Sequence, residues 1–374
     1  MKFLTLTSAI ALIVSSTLLV GCGGGDTAVP TIEEYSIDYP NKATIASDKQ
    51  GSTHEITYSP FGGDVFWITG PNYGYLVKLE LNGKRTYFNL GADSAPHGVD
   101  FDKNGQMFVS LEGREQLARV STRNGDVLQT YPINVDAHGL GIGPDGLTVW
   151  YTGKLDNVIG KLGADGVITN FTVGLTAAAK PIYIKAGPDG NMWFTELDAS
   201  KIGRITNAGV ITEFPIPKLD TLVGSSKPIA IVPDPQGAGM WFSEEASNNI
   251  SFIDRDGIIT QTLVPKYRND LLLAGLAFDS SGNLWTQQYV PKNSPSAGID
   301  NIVKINKDAI ARMRAAATGA PPRSNQVFTT VAADFTFYAV PPTNTVLHRI
   351  VEGPDGFMWF TELFADKVGK LNVK

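Results

Sequence analysis

Short apolar runs alternate with clusters of Gly, Asp, Asn and Pro along most of the chain, and few runs keep the spacing of an amphipathic helix. Residues 187–205, GPDGNMWFTELDASKIGRI, and residues 353–371, GPDGFMWFTELFADKVGKL, are one unit written twice. Weaker copies share its order: an apolar run, a GPDG or DKNG turn, an aromatic doublet, a polar loop, a run such as KIGRI, a Gly turn and a run such as VITEFPIP. The aromatic falls at Trp67, Phe108, Trp150, Trp193, Trp241, Trp285 and Trp359. The interval is about forty residues, and only the last is much longer. Four strand-like runs per unit, repeated seven times, predict an all-β fold, a seven-bladed β-propeller of four-stranded antiparallel blades. Helical repeats of similar period need longer amphipathic runs than these glycines and prolines allow.

The ends of the chain predict how the ring closes. The sequence stops at KVGKLNVK, a third strand, while TIEEYSIDYP at 31–40 matches the fourth-strand run VITEFPIP. An N-terminal strand is therefore expected to complete the last blade and remove an open edge. The long interval holds an insertion at about 290–345 containing NKDAIARMRAAATGAPP, which reads as a short helix. It is expected as a cap across blade six or seven, and its basic, Ala-rich composition argues against a core role.

Upstream of 31, Lys2 precedes an apolar run from Leu4 to Val20 that ends in Leu19-Val20-Gly21-Cys22. This has the form of a lipoprotein signal peptide, residues 1–21, followed by an acylated Cys22 and a Gly-rich tether, 22–30, with the propeller occupying 31–374. The expected location is the cell envelope, on the outer-membrane or periplasmic side if the host is Gram-negative, with membrane contact through the lipid alone. Cys22 is the only cysteine, which excludes a disulfide framework, a thiol nucleophile in the propeller and a Cys-based metal site. A net charge of −6 with well-mixed signs argues against a nucleic-acid partner. A monomer is expected.

The four histidines, His54, His97, His138 and His348, occupy one place in their repeats: THEI, PHGV, AHGL and LHRI. In a closed ring they belong to consecutive blades and converge on one sector of the channel mouth. Ile182, Ile229 and Ala274 hold that place elsewhere. Within SAPHGVDFDKNGQMFVSLE, His97 and Glu112 lie about an Asn104-Gly105 turn, so they are expected to face each other across a hairpin near the rim, with β-carbons about 5 Å apart. Glu196, Glu244 and Glu362 recur in WFTE or WFSE units and read as architecture, accepting loop N–H bonds. Glu112 stands one place later than they do, and a break in the repeat beside a histidine marks a candidate site.

The unit GPDGxxWFTExxxxKIGRI followed by ITEFPIP resembles the virginiamycin B lyase (streptogramin lyase) family, seven-bladed propellers that open a cyclic depsipeptide antibiotic by elimination at its ester. The resemblance implies a histidine base and a magnesium ion held at carboxylates. By position it casts His97 in APHGV as base, Glu112 in FVSLE as a metal-side carboxylate and His54 in THEIT as a second catalytic histidine. His138 and His348 would line the substrate. The family's first glutamate falls on Ala95, a departure, and Asp136 would supply the missing metal carboxylate from the next blade. A second register, centred on Asp136 and His138, puts Lys154 where Glu112 would be. Three neighbouring histidines keep zinc open beside magnesium. The implied ligand is a small cyclic peptide or lactone. The alternative is a non-catalytic cell-envelope propeller that binds a peptide, carbohydrate or protein, since fold alone does not assign chemistry.

Overall fold

In the computed structural model the described residues are 30–373, apart from 219–224, 320, 321, 342 and 344. The expected leader, Cys22 and almost all of the tether lie outside them. The repeats form seven sheets whose four repeat strands are antiparallel, and in the first six these run in chain order from an inner to an outer strand. Blade 1 covers 56–89, blade 2 96–132, blade 3 137–171, blade 4 181–215 and blade 5 228–263. Blade 6 joins strands 272–305 to strand Phe335–Val340, and blade 7 joins strands 347–372 to strand Thr31–Ser36.

The closure follows the repeat. Thr31–Ser36 pairs antiparallel with Lys367–Asn372, with Thr31 opposite Asn372 and Ser36 opposite Lys367. Tyr35 stacks on Trp359 at 5.5 Å between ring centres, as Phe214 stacks on Trp193 at 5.5 Å and Phe171 on Trp150 at 6.0 Å. In four blades the aspartate of the turn holds the indole: Asp189, Asp234, Asp279 and Asp355 accept the N–H of Trp193, Trp241, Trp285 and Trp359 at 2.9, 3.0, 2.8 and 3.1 Å. These five tryptophans and Trp67 are essentially fully buried. Each removes on the order of 200 Å² from water, about 5 kcal/mol gross.

A second repeat feature joins the blades at the axis. The Ser, Thr or Gln on each second strand accepts an N–H from its own inner strand, as Ser110 does from Gly98 (2.7 Å) and Thr152 from Gly139 (2.9 Å). In every blade but the second its donor group then reaches the inner-strand carbonyl of the next blade, as Thr69 to His97, Thr152 to Ile182, Ser243 to Ala274 and Thr361 to His54, at 2.7–2.9 Å. The glycines of PHG and AHG make room for this contact. A Cβ on Gly139 would lie 2.1 Å from the Ile182 carbonyl oxygen, and one on Gly98 2.7 Å from Leu140 Cβ.

The insertion departs from expectation. Strands Asp300–Ile305 and Phe335–Val340 belong to blade 6, so the added segment runs between them. Its helix, Lys307–Ala317, lies against blades 5 and 6, not 7, and buries Ala309, Ile310, Met313 and Ala317 in one apolar cluster with Trp241, Phe252 and Leu284. Arg314 reaches Asp234 at 2.6 Å, both side chains nearly out of solvent. A helix judged from its charges as a surface cap is in fact core on one face. The strand Gln326–Val327 then adds a fifth, parallel strand to blade 5.

Candidate functional site

The hairpin carrying His97 is not paired as its midpoint suggests. Pro96 lies opposite Leu111, but the next pair is Val99 with Val109, so His97 and Gly98 together oppose Ser110 in a bulge. Similar register breaks occur at the inner strands of blades 3 to 7. Glu112 faces Ala95 instead, whose carbonyl accepts its N–H at 3.1 Å, and it opens a turn beyond the strand rather than pointing to a second strand face. The bulge re-aims the histidine toward the axis, and the turn lifts the glutamate to the rim.

All four histidines do converge. Ring centres are 3.7 Å apart for His97 and His138, 3.9 Å for His54 and His97, and 4.0 Å for His54 and His348. His97 Nδ1 donates to the carbonyl of His138 at 2.8 Å, the blade-to-blade position served elsewhere by a Ser, Thr or Gln side chain. That bond fixes the tautomer and leaves Nε2 with a free lone pair. His138 Nδ1 lies 3.4 Å from a Glu112 oxygen. Burial pushes all four imidazoles well below their usual range, and their neighbours push the same way. His348 and His97 act on His54, Lys154 and Arg349 on His138, and Arg349 on His348. Glu112 opposes the shift at His97, which nonetheless stays neutral at pH 7.

His97, Glu112 and His138 bring one donor atom each to within 4.8 Å of one another and can hold a divalent metal ion. Asp136 is not in this group. Its carboxylate accepts the N–H groups of Leu155 (3.0 Å) and Asp156 (3.3 Å), and burial together with a hydrogen bond to Asp156 raises it to about 6. Two nitrogens and one carboxylate suit zinc, and a lone carboxylate with retained water suits magnesium.

Below the histidines the channel is bridged by charge. Arg349 meets Glu55 at 3.1 Å, Lys185 meets Asp100 at 2.9 Å, and Tyr183 lies under both cations, 4.9 and 5.5 Å from its ring centre. Glu55, Tyr183, Lys185 and Arg349 line a cavity of about 180 Å³. The mouth is therefore backed by buried ion pairs. On its far side, Glu245 and Tyr289 occupy in blades 5 and 6 the place that Glu112 holds in blade 2, and the Tyr289 hydroxyl donates to Glu245 at 2.7 Å. Sequence reasoning missed this pair. Counting four residues on from Trp241 and Trp285, as from Phe108 to Glu112, would have found it.

The architectural glutamates also differ from expectation. Glu244 accepts from the side chains of Ser247, Ser251, Asn249 and Gln261, not from loop N–H groups. Glu196 and Glu362 each face a second carboxyl, Glu213 and Glu34.

The sequence profile of the virginiamycin B lyase family matches residues 37–292. The chain is similar to virginiamycin B lyase of Nocardia farcinica (strain IFM 10152), 29% identical over 178 residues, which are 47% of this chain and 58% of that protein. The alignment thus spans less than two thirds of that relative. Among solved structures, a streptogramin B lyase is 24% identical over 92% of this chain and 97% of its own, with a TM-score of 0.71. Staphylococcus aureus virginiamycin B lyase is 23% identical over 92% of this chain and 99% of its own, at 0.70. A catalytically inactive His-to-Ala form of that enzyme, with quinupristin, is 22% identical over the same shares, also at 0.70. These structural likenesses show the fold. The profile match, which covers more than half of the chain, shows that the protein belongs to the virginiamycin B lyase family.

Proposed function

We propose that the protein is a carbon–oxygen lyase that opens a cyclic depsipeptide or lactone at its ester by elimination, with His97 as the base. The observation that carries this reading is the His97 ring itself. Its Nδ1–H is held by the His138 carbonyl, its Nε2 is free, and its surroundings keep it neutral. A proton leaves the carbon next to a carbonyl for Nε2, the C–H pair becomes the new double bond, and the C–O pair departs with the ester oxygen as a carboxylate. Nε2 cannot hold a cation and take that proton at once, so Glu112 and His138 are the groups left to hold a metal. Magnesium is the ion the family resemblance implies, held by Glu112 with water completing its shell. When bound, it would polarise the carbonyl beside the reacting carbon. His54 packs against His97 from blade 1, with ring centres 3.9 Å apart, and orients it, while His54 Nδ1 and His348 Nε2 are buried without a partner among the described residues.

The test is linearisation of a streptogramin B by the purified protein, with and without magnesium. His97→Ala should abolish turnover and leave substrate binding nearly intact, because a base acts mainly in the transition state. Substrate binding with no turnover by the wild type would instead favour the non-catalytic binding propeller. The leader and Cys22 support an envelope location through a lipid anchor. Wild-type protein should partition with membranes and Cys22→Ser should lose the lipid label; a soluble, unlabelled wild type would refute the anchor.

A further inference from the structure

Lys154 follows Gly153, whose partner across the hairpin is Ala137, just as Glu112 follows Leu111, whose partner is Pro96. The same rim position thus carries a carboxylate in blade 2 and an ammonium in blade 3. The other cations of the mouth and channel are paired: Arg349 with Glu55, Lys185 with Asp100, and Lys180 and Lys227 with Asp198. Lys154 is half-buried and has neither an ion pair nor a hydrogen bond among the described residues. Its charge acts on His97, His138 and His348 and on Glu245 across the opening, so it stands in the same electrostatic compartment as all of them. Opposite Glu112 the position of the family's other carboxylate is Ala95, which adds no negative charge. The rim of blades 2 and 3 is therefore equipped for an anion as well as for a cation.

We propose that Lys154 is the carboxylate-receiving group of the mouth, a catalytic residue whose ammonium takes up the anion released when the ester C–O bond breaks. The catalytic part rests on the elimination reading above. That reaction creates one full negative charge on the departing oxygen, and a preplaced cation in a half-buried site stabilises it without reorganisation. A paired lysine would first have to give up its partner. Lys154 has none to give up.

Carboxylate recognition can be tested apart from turnover. Calorimetric titration would compare the linear streptogramin B acid with its C-terminal amide, on wild type, Lys154→Met and Lys154→Arg, with thermal melts to check folding. Wild type should bind the acid about tenfold more tightly than the amide. Lys154→Met should lose that preference and Lys154→Arg keep it. With the cyclic substrate, Lys154→Met should lower kcat about 100-fold with KM little changed, and Lys154→Arg should recover part of it. Equal binding of acid and amide by the wild type, or an unchanged preference in a folded Lys154→Met protein, overturns the proposal. An unchanged kcat in Lys154→Met removes the catalytic part. Absence of turnover in a wild type that prefers the acid overturns the elimination reading and leaves Lys154 as a carboxylate-binding residue.

Discussion

One residue position in the repeat, the glutamate of WFTE, is resolved in two ways. In blade 5, Glu244 is surrounded by hydroxyl and amide donors. In blade 4, Glu196 meets Glu213, which Lys201 and Thr176 hold as a carboxylate. In blade 7, Glu362 meets Glu34, which Lys367 holds at 3.1 Å. Burial first, then the second carboxyl, raises Glu196 to about 8, and the same causes raise Glu362. Both are thus protonated in the folded protein at neutral pH, whereas in the unfolded chain they ionise near 4.5. Folding then binds protons between those values, so this part of the stability is complete below about 4.5 and is lost as pH rises through the folded pKa. The melting temperature should fall between pH 5 and 9, and Glu362→Gln, which keeps the shape and cannot ionise, should flatten the fall by a few degrees. Parallel melts of the two proteins across that range decide it, and identical slopes would mean that the pair shares no proton.

At the scale of elements, pattern foretold most of what matters and geometry supplied the rest. The match of TIEEYSIDYP to VITEFPIP was enough to locate the closing strand, because Tyr35 and Glu34 repeat the roles of Phe214 and Glu213. Removing residues 31–36 should strip Tyr35 from Trp359 and bare the edge at Lys367–Asn372, lowering the melting temperature on the order of 10 °C and promoting aggregation. A differential scan against the intact protein checks this, and an unchanged melt would mean that the edge is covered by something else. The hairpin of blade 2 was legible as a hairpin, but its bulge was not. A bulge is set by how closely inner strands crowd the axis, as at Gly98 and Gly139, and the spacing of His97 and Glu112 carries no mark of it. The helix at 307–317 was likewise legible as a helix, while its burial depended on a partner, Asp234, far away in sequence.

Across the whole molecule, the strict repeat encodes the ring and its exceptions encode the mouth. His54, His97, His138 and His348 replace apolar residues, and Glu112 and Lys154 replace the leucines of blades 4 and 7 at the rim. The ion pairs beneath them were not legible, because Asp100 and Lys185 come from blades 2 and 4 and meet only across the axis. The composite seventh blade also bears on the order of events in making the protein. Its outer strand is among the first parts of the propeller to leave the ribosome and its third strand among the last. Six blades can gather during synthesis, but the early strand must wait unpaired for a partner at the other end of the chain. Ring closure therefore cannot precede synthesis of the strand Lys367–Asn372, and a nascent chain halted just short of residue 367 would carry exposed strand edges open to pairing with a neighbour.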